Sequence, residues 1–127
     1  MTATNILLAG DIGATKTSLG LYDQSSRQLG QGTVQNGAYR NFDDLLAGFL
    51  ARQRVEPCCA CIGVAGPVID QAVNLTNLAW SLDAGQLASR HRFRQVWLIN
   101  DLVATALGAT LLAPADLHPL KPGPPRP

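Results

Sequence analysis

Residues 5–22 read NILLAGDIGATKTSLGLY: an apolar run from Asn5 to Gly10, a break at Asp11 to Gly13, and a second run of apolar and small residues from Thr17 to Tyr22. The first run has the length of a short buried strand, and the carboxylate and glycine that end it are residues of a tight loop. The second run begins at once, so the loop joins two strands as a hairpin. Two familiar anion-binding patterns are thereby excluded. A Walker loop needs wider spacing before its Gly-Lys-Ser/Thr, and the dinucleotide fingerprint needs a helix after its glycines. Gly13 and Ala14 are still small enough to let backbone N–H groups approach an anion, and the hairpin presents Thr15 and Lys16 beside them. Asp11, at the strand end, has the chemistry to hold a hydrated magnesium ion through water. On pattern alone, a plain hairpin with a surface aspartate accounts for the segment equally well.

Outward from this hairpin, the polar turn Asp23 to Arg27 leads to a return strand, Leu29 to Val34, and completes an antiparallel meander. Phe42, Leu45, Leu46, Phe49 and Leu50 recur at helical spacing, with Asn41 as a cap and Asp43 and Asp44 in the first turn. After Pro57, the run Cys58 to Ala65 reads as a central strand buried on both faces and stopped by Gly66-Pro67. Ala72 to Leu75 reads as an edge strand, and Asp83 as the cap of a helix running to about His91. Gln95 to Ile99 forms a further strand, ending in Asn100-Asp101, and Leu102 to Leu112 a helix rich in alanine and leucine. The fold class is therefore α/β: a mixed sheet, three meander strands plus parallel strands, with helices packed on it. Residues 1–113 make this unit. Residues 114–127, with prolines at 114, 119, 122, 124, 125 and 127, read as an extended linker.

Ligands of such sheets gather at the carboxyl ends of the strands, which is where Asp11 and Asp101 fall. Composition narrows the field further. With 46% hydrophobic residues, 15% charged and a net charge of +1, the chain has no broad electrostatic footprint for nucleic acid or an anionic membrane. Cys58, Cys59 and Cys61 crowd one apolar run; their odd number and missing framework spacing predict packing and a reducing, cytoplasmic setting rather than disulfides or zinc. Strand alternation puts Cys59 and Cys61 on one face. The short apolar run at the N-terminus matches neither a signal peptide nor a membrane span. His91 and His118 carry no assigned role, and Arg90, Arg92 and Arg94 read as a solvated surface.

Four segments in order carry a resemblance: Gly10 to Thr17, Cys61 to Pro67, Asn74 to Ser81 (NLTNLAWS) and Leu98 to Thr105 (LINDLVAT). The first resembles the phosphate loop of the sugar-kinase, heat-shock-protein-70 and actin superfamily, and together they resemble the bacterial ATP-dependent glucokinases. The likeness runs from Asn5 to about Gly123 and corresponds to the smaller, N-terminal lobe of that family. It implies a ribonuclease H-like, actin-like ATPase lobe and transfer of the ATP γ-phosphate to the 6-hydroxyl of glucose. Mg2+ accompanies ATP in that chemistry.

Carried over residue by residue, the resemblance makes Asp101 the catalytic base, and Asn100, Asn77, Thr76, Gly66 and Pro67 the sugar-side residues. Asp11, Gly13, Ala14, Thr15 and Lys16 become the phosphate side, with Asp11 the magnesium residue through water. Read without it, Asp101 is first a helix N-cap with Asn100 merely ending the strand, and Trp80 is more often core than a wall of the sugar site. Two departures stand out. The family usually has glycine where this chain has Ala14, and a forced backbone angle there would cost about 1 kcal/mol. The second phosphate loop and the rest of the sugar site have no counterpart before Pro127, so the expectation is a lobe lacking its C-terminal partner and inactive by itself. The full-length family often forms homodimers. A sugar-binding regulatory module and a kinase for another hexose are the competing readings.

Overall fold

A computed structural model describes residues 5–120 and 123–124. In chain order its elements are β1 (Leu7–Ile12), β2 (Lys16–Tyr22), β3 (Gln28–Gln35), α1 (Phe42–Ala51), β4 (Cys59–Val64), β5 (Ala72–Leu75), β6 (Trp80–Asp83), α2 (Ala84–His91), β7 (Gln95–Asn100) and α3 (Asp101–Ala109). The five-stranded sheet has the order β3-β2-β1-β4-β7. The meander β1-β2-β3 is antiparallel, while β4 and β7 run parallel to β1, giving the mixed sheet expected of an actin-like ATPase lobe. Neighbours on both sides hold β1 to Ile12, so the strand runs two residues past its apolar run. Asp11 therefore lies inside the strand, opposite Ser18 and level with Gly63.

One face of the sheet carries the core. Leu8, Ile12, Leu21, Ile62, Val64 and Leu98 point into it, and α1 lays Phe42, Leu45, Leu46 and Phe49 on them, joined by Ala84 and Leu87 of α2. Each large side chain so buried contributes about 1.5–3 kcal/mol. Both helix starts were legible: Asn41 accepts the Asp44 N–H at 2.8 Å, and Asp83 that of Gln86 at 2.9 Å. The link between the two helices was not. Asp43 accepts from Arg90 at 2.9 Å and meets His91 Nε2 at 3.0 Å, so these two residues are fastened to α1 rather than left without a role. The pairing joins residues 47 and 48 positions apart, a separation at which no local pattern operates.

The opposite face is largely open. Ala60, Ile62 and Val64 of β4 are fully buried, but Cys59 and Cys61, sharing the other face as alternation requires, are only half-buried. The expectation of a strand covered on both sides fails because α3 covers only the carboxyl end, where Ala104 lies over Gly63. No residue of α3 is buried, and Leu102, Val103 and Leu107 are exposed. Burial still pushes the thiols of Cys59 and Cys61 above the ordinary 9.0, and the Cys58 thiol, 3.8 Å away, adds to the effect on Cys59.

Ala72 to Leu75 is not an edge of the main sheet. It pairs with β6, a strand too short and too mixed in polarity to be read from sequence, as a separate hairpin. Trp80, beside the turn of that hairpin, is core: its Nε1 donates to the Arg40 carbonyl at 3.0 Å, and its ring lies tilted 6.2 Å from that of Phe42. The open edge of β7 is met by a side chain. Gln71 Oε1 accepts the Leu98 N–H at 2.8 Å and Nε2 donates to the Leu98 carbonyl at 3.2 Å, as a neighbouring strand would. Helix α3 ends at Ala109 instead of Leu112, and Pro114–Asp116 forms a 3-10 turn within the stretch expected to be extended. Residues 121–122 and 125–127 of that stretch lie outside the described residues.

Candidate active site

The loop between β1 and β2 is closed by a Gly13 N–H bond to the Lys16 carbonyl at 2.9 Å. A Cβ on Gly13 would sit 3.0 Å from that carbonyl oxygen, closer than an ordinary contact, so a side chain there would require the loop backbone to give way slightly. Ala14 has no positive φ. Its methyl carries no backbone strain, and the penalty of about 1 kcal/mol expected for this departure from glycine does not arise.

Gly13 and Ala14 form one wall of a cavity of about 290 Å³. Facing them are Gly66 and Pro67 at the end of β4, with Thr76 and Asn77 at the tip of the β5-β6 hairpin. The structure thus brings together six of the residues singled out from sequence. Thr76 and Asn77 are exposed, and neither side chain makes a hydrogen bond among the described residues, which leaves amide and hydroxyl free for a polar ligand. Asn74 is committed instead, accepting from Ser81 Oγ at 2.7 Å. Gly66 adopts φ 154°, where a side chain is strained, and a Cβ would sit 3.5 Å from Val73.

Asn100 and Asp101 divide their tasks. Asn100 caps α3, accepting the Leu102 N–H at 3.0 Å, and its Nδ2 donates to the Gly66 carbonyl at 3.0 Å. The cap is therefore Asn100, and the alternative of Asp101 as cap is set aside. Asn100 fixes the Gly66 turn to the start of α3 and keeps one donor and one lone pair in reserve. Asp101 is the first helical residue, half-exposed, and its carboxylate has no hydrogen bond or ion pair among the described residues. It lies over β4: the Asp101 Cα is 3.9 Å from where a Gly63 Cβ would be.

Asp11 does not enter the cavity that holds Gly13 and Ala14. It lines a second one, of about 300 Å³, with Ser18 and Thr33 on the open sheet face. Since Asp11 is level with Gly63, and Gly63 underlies Asp101, the two carboxylates share one sheet face at its carboxyl end. Thr15 and Lys16 are exposed, and Lys16 has no ion pair among the described residues. Among the described residues, no group of three or more His, Cys, Asp or Glu side chains is placed to hold a metal. A single carboxylate such as that of Asp11 cannot by itself form a protein cage for an ion; it suits one held mainly by water and other ligands. A larger cavity of about 400 Å³ lies apart from all these residues, between α1 and the end of α2, beside Leu50, Val55 and Phe93. Sequence reading missed Asn36, Gln71 and the second role of Asn100, each of which acts on backbone distant in sequence.

The sequence profile of the glucokinases matches residues 8–127. The chain belongs to the glucokinase family. It is 39% identical to a glucokinase of Nostoc punctiforme over 128 residues, covering 96% of this chain and 37% of that protein. The crystal structure of a glucokinase from an Antarctic psychrotroph superposes with a TM-score of 0.78 at 26% identity, covering 89% of this chain and 37% of the other. A ROK family glucokinase from Streptomyces griseus, solved in complex with glucose and AMPPNP, superposes at 0.61 with 25% identity, over 81% and 35% of the two chains. This glucokinase-family chain thus spans little more than a third of the length of the relatives it matches.

Proposed function

We propose that this chain supplies the wall of a two-lobed sugar kinase on which the γ-phosphate of ATP passes to the 6-hydroxyl of glucose. The observation that carries the proposal is the convergence of the Gly13-Ala14 loop with Gly66, Pro67, Thr76 and Asn77 around one cavity, on a chain of the glucokinase family. Anion-approachable backbone and free polar side chains at adjoining walls are what a phosphate donor and a sugar acceptor require side by side. Thr76 and Asn77 hydrogen-bond sugar hydroxyls. Asn100 orients the Gly66 turn and has one donor left for the sugar. Thr15 and Lys16 stand on the phosphate side, and Asp11 would hold the Mg2+ of the nucleotide through water, where the ion neutralises phosphate charge.

Asp101 accepts the proton of the attacking hydroxyl. Phosphoryl transfer passes through a loose transition state, so the proton leaves late and a carboxylate of ordinary basicity suffices when correctly aimed. Its place at the start of a helix, fixed by the Asn100 cap, supplies that aim. Free thiols and an ATP substrate both fit a cytoplasmic location. No helix among the described residues is long and apolar enough to cross a membrane.

The decisive test joins this chain to the remaining segment of the Nostoc punctiforme relative and measures hexose phosphorylation by a coupled assay across a sugar panel. Activity on glucose is expected, and Asp101→Asn should lower kcat by about 10²–10⁴ with little change in KM. An Asp101→Asn fusion within tenfold of its parent sinks the base assignment. A preference for another hexose overturns the substrate, and sustained turnover by the 127-residue chain alone overturns the need for a second lobe.

A further inference from the structure

Among the described residues the core holds two buried polar side chains, Thr17 and Asn36, and both belong to one network. Thr17 Oγ1 donates to Asn36 Oδ1 at 2.6 Å, and Asn36 Nδ2 donates to the Gly13 carbonyl at 2.9 Å. The Asn36 backbone N–H donates to the Thr15 carbonyl at 2.8 Å. Asn36 stands where β3 leaves the sheet, and from there it holds two carbonyls of the β1-β2 loop, those of Gly13 and Thr15. No buried side-chain polar atom in this region is left unsatisfied, so the network is complete without any ligand.

The consequence follows from the planarity of the peptide. In a trans peptide, C=O and the next N–H point in opposite directions. The Gly13 carbonyl is drawn inward to Asn36, so the Ala14 N–H points outward. The Thr15 carbonyl is drawn inward too, so the Lys16 N–H also faces away from Asn36. Two amide donors on either side of Thr15, both turned away from Asn36 at the mouth of the loop, make an anion-binding concavity, and the Lys16 ammonium stands beside it. The motif that marks the loop, residues 10 to 17, contains the donors but not the residue that aims them.

We propose that Asn36, locked by Thr17, is the positioning residue of the phosphate-binding loop, holding the Ala14 and Lys16 amides outward for a polyphosphate. The proposal rests on the kinase reading above. Asn36 contributes no atom to the ligand. It removes the loop's freedom to turn its carbonyls, rather than its amides, toward the phosphate, so the cost of ordering falls on folding and not on binding.

The test uses the 127-residue chain labelled with 15N. Wild type is titrated with MgATP, and exchange and relaxation of the Ala14 and Lys16 amides are measured without ligand. Asn36→Asp keeps the side chain's shape and its acceptor for Thr17 but removes the donor to Gly13. Thr17→Val removes the hydroxyl at constant size, and Thr17→Ser restores it. Expected are loop amides at least tenfold less protected in N36D and T17V, a MgATP affinity at least tenfold weaker, and recovery in T17S, with the core amides of Leu8 and Ile62 unchanged. Loop protection and affinity within twofold of wild type in both N36D and T17V overturn the proposal. If N36D does not fold, the T17V and T17S pair decides by the same readouts. Wild-type chain that shows no MgATP response overturns the phosphate reading of the loop, whereas the ligand-free exchange data still decide whether Asn36 orders it.

Discussion

Gln71→Leu removes the side chain that stands in for a sixth strand. Its amide makes two hydrogen bonds to the backbone of Leu98, at 2.8 and 3.2 Å, and Leu98 is only 1% exposed, so water cannot replace them without disturbing the hairpin. Two such bonds contribute about 1 kcal/mol each, and a backbone group left partly unsatisfied adds roughly 1 kcal/mol more. The total is a loss of about 2–3 kcal/mol. Gln71 has φ 56°, and leucine meets the same backbone strain as glutamine there, so that contribution cancels. For a domain of this size, between the small and medium classes, about 4 °C per kcal/mol gives a fall in Tm of roughly 8–12 °C. Urea unfolding followed by far-UV circular dichroism measures the free energy, and exchange of the Leu98 amide reports the local effect. A loss under about 0.5 kcal/mol, or an unchanged Leu98 exchange rate, would refute the claim that this side chain completes the sheet edge.

Two further outcomes follow from the backbone and the thiols. Ala79 takes φ 53° in the turn between β5 and β6, so Ala79→Gly should relieve strain and raise stability by about 1 kcal/mol, read as a higher urea midpoint at unchanged slope. Cys59 and Cys61 have folded pKa values above 9.0, so the stability they contribute is full below pH 9.0 and lost as pH rises through and beyond that value. A Cys59→Ala, Cys61→Ala double variant should lose stability less steeply than wild type as pH rises above 9.0; parallel curves in a urea series would remove the thiols as the cause.

The meander, the core helix with its Asn41 cap and the parallel strands were readable from sequence because each rests on local rules, whereas the candidate site residues came from the resemblance to a family. Alternation, helical spacing, capping and the chemistry of Gly13, Thr76, Asn77 and Asp101 act within a few residues. The reading failed where the deciding partner lay far along the chain. Gln71 closes an edge 27 residues away, Asn36 grips a carbonyl 23 residues back, and Asp43 joins Arg90 across 47. Trp80 is core because the Arg40 carbonyl and Phe42 await it, and Ala14 is unstrained because the loop that Asn36 grips leaves it an ordinary φ. Sequence by itself determined most of the strands and helices and marked the residues whose chemistry suits a site. Only the tertiary structure decided which cavity each one enters, sending Gly13 and Ala14 to Thr76 and Asn77 but Asp11 to a separate cavity beside Ser18 and Thr33. The reason is that a strand's alternation fixes that neighbours diverge, while the side on which the chain packs its helices fixes where each of them arrives.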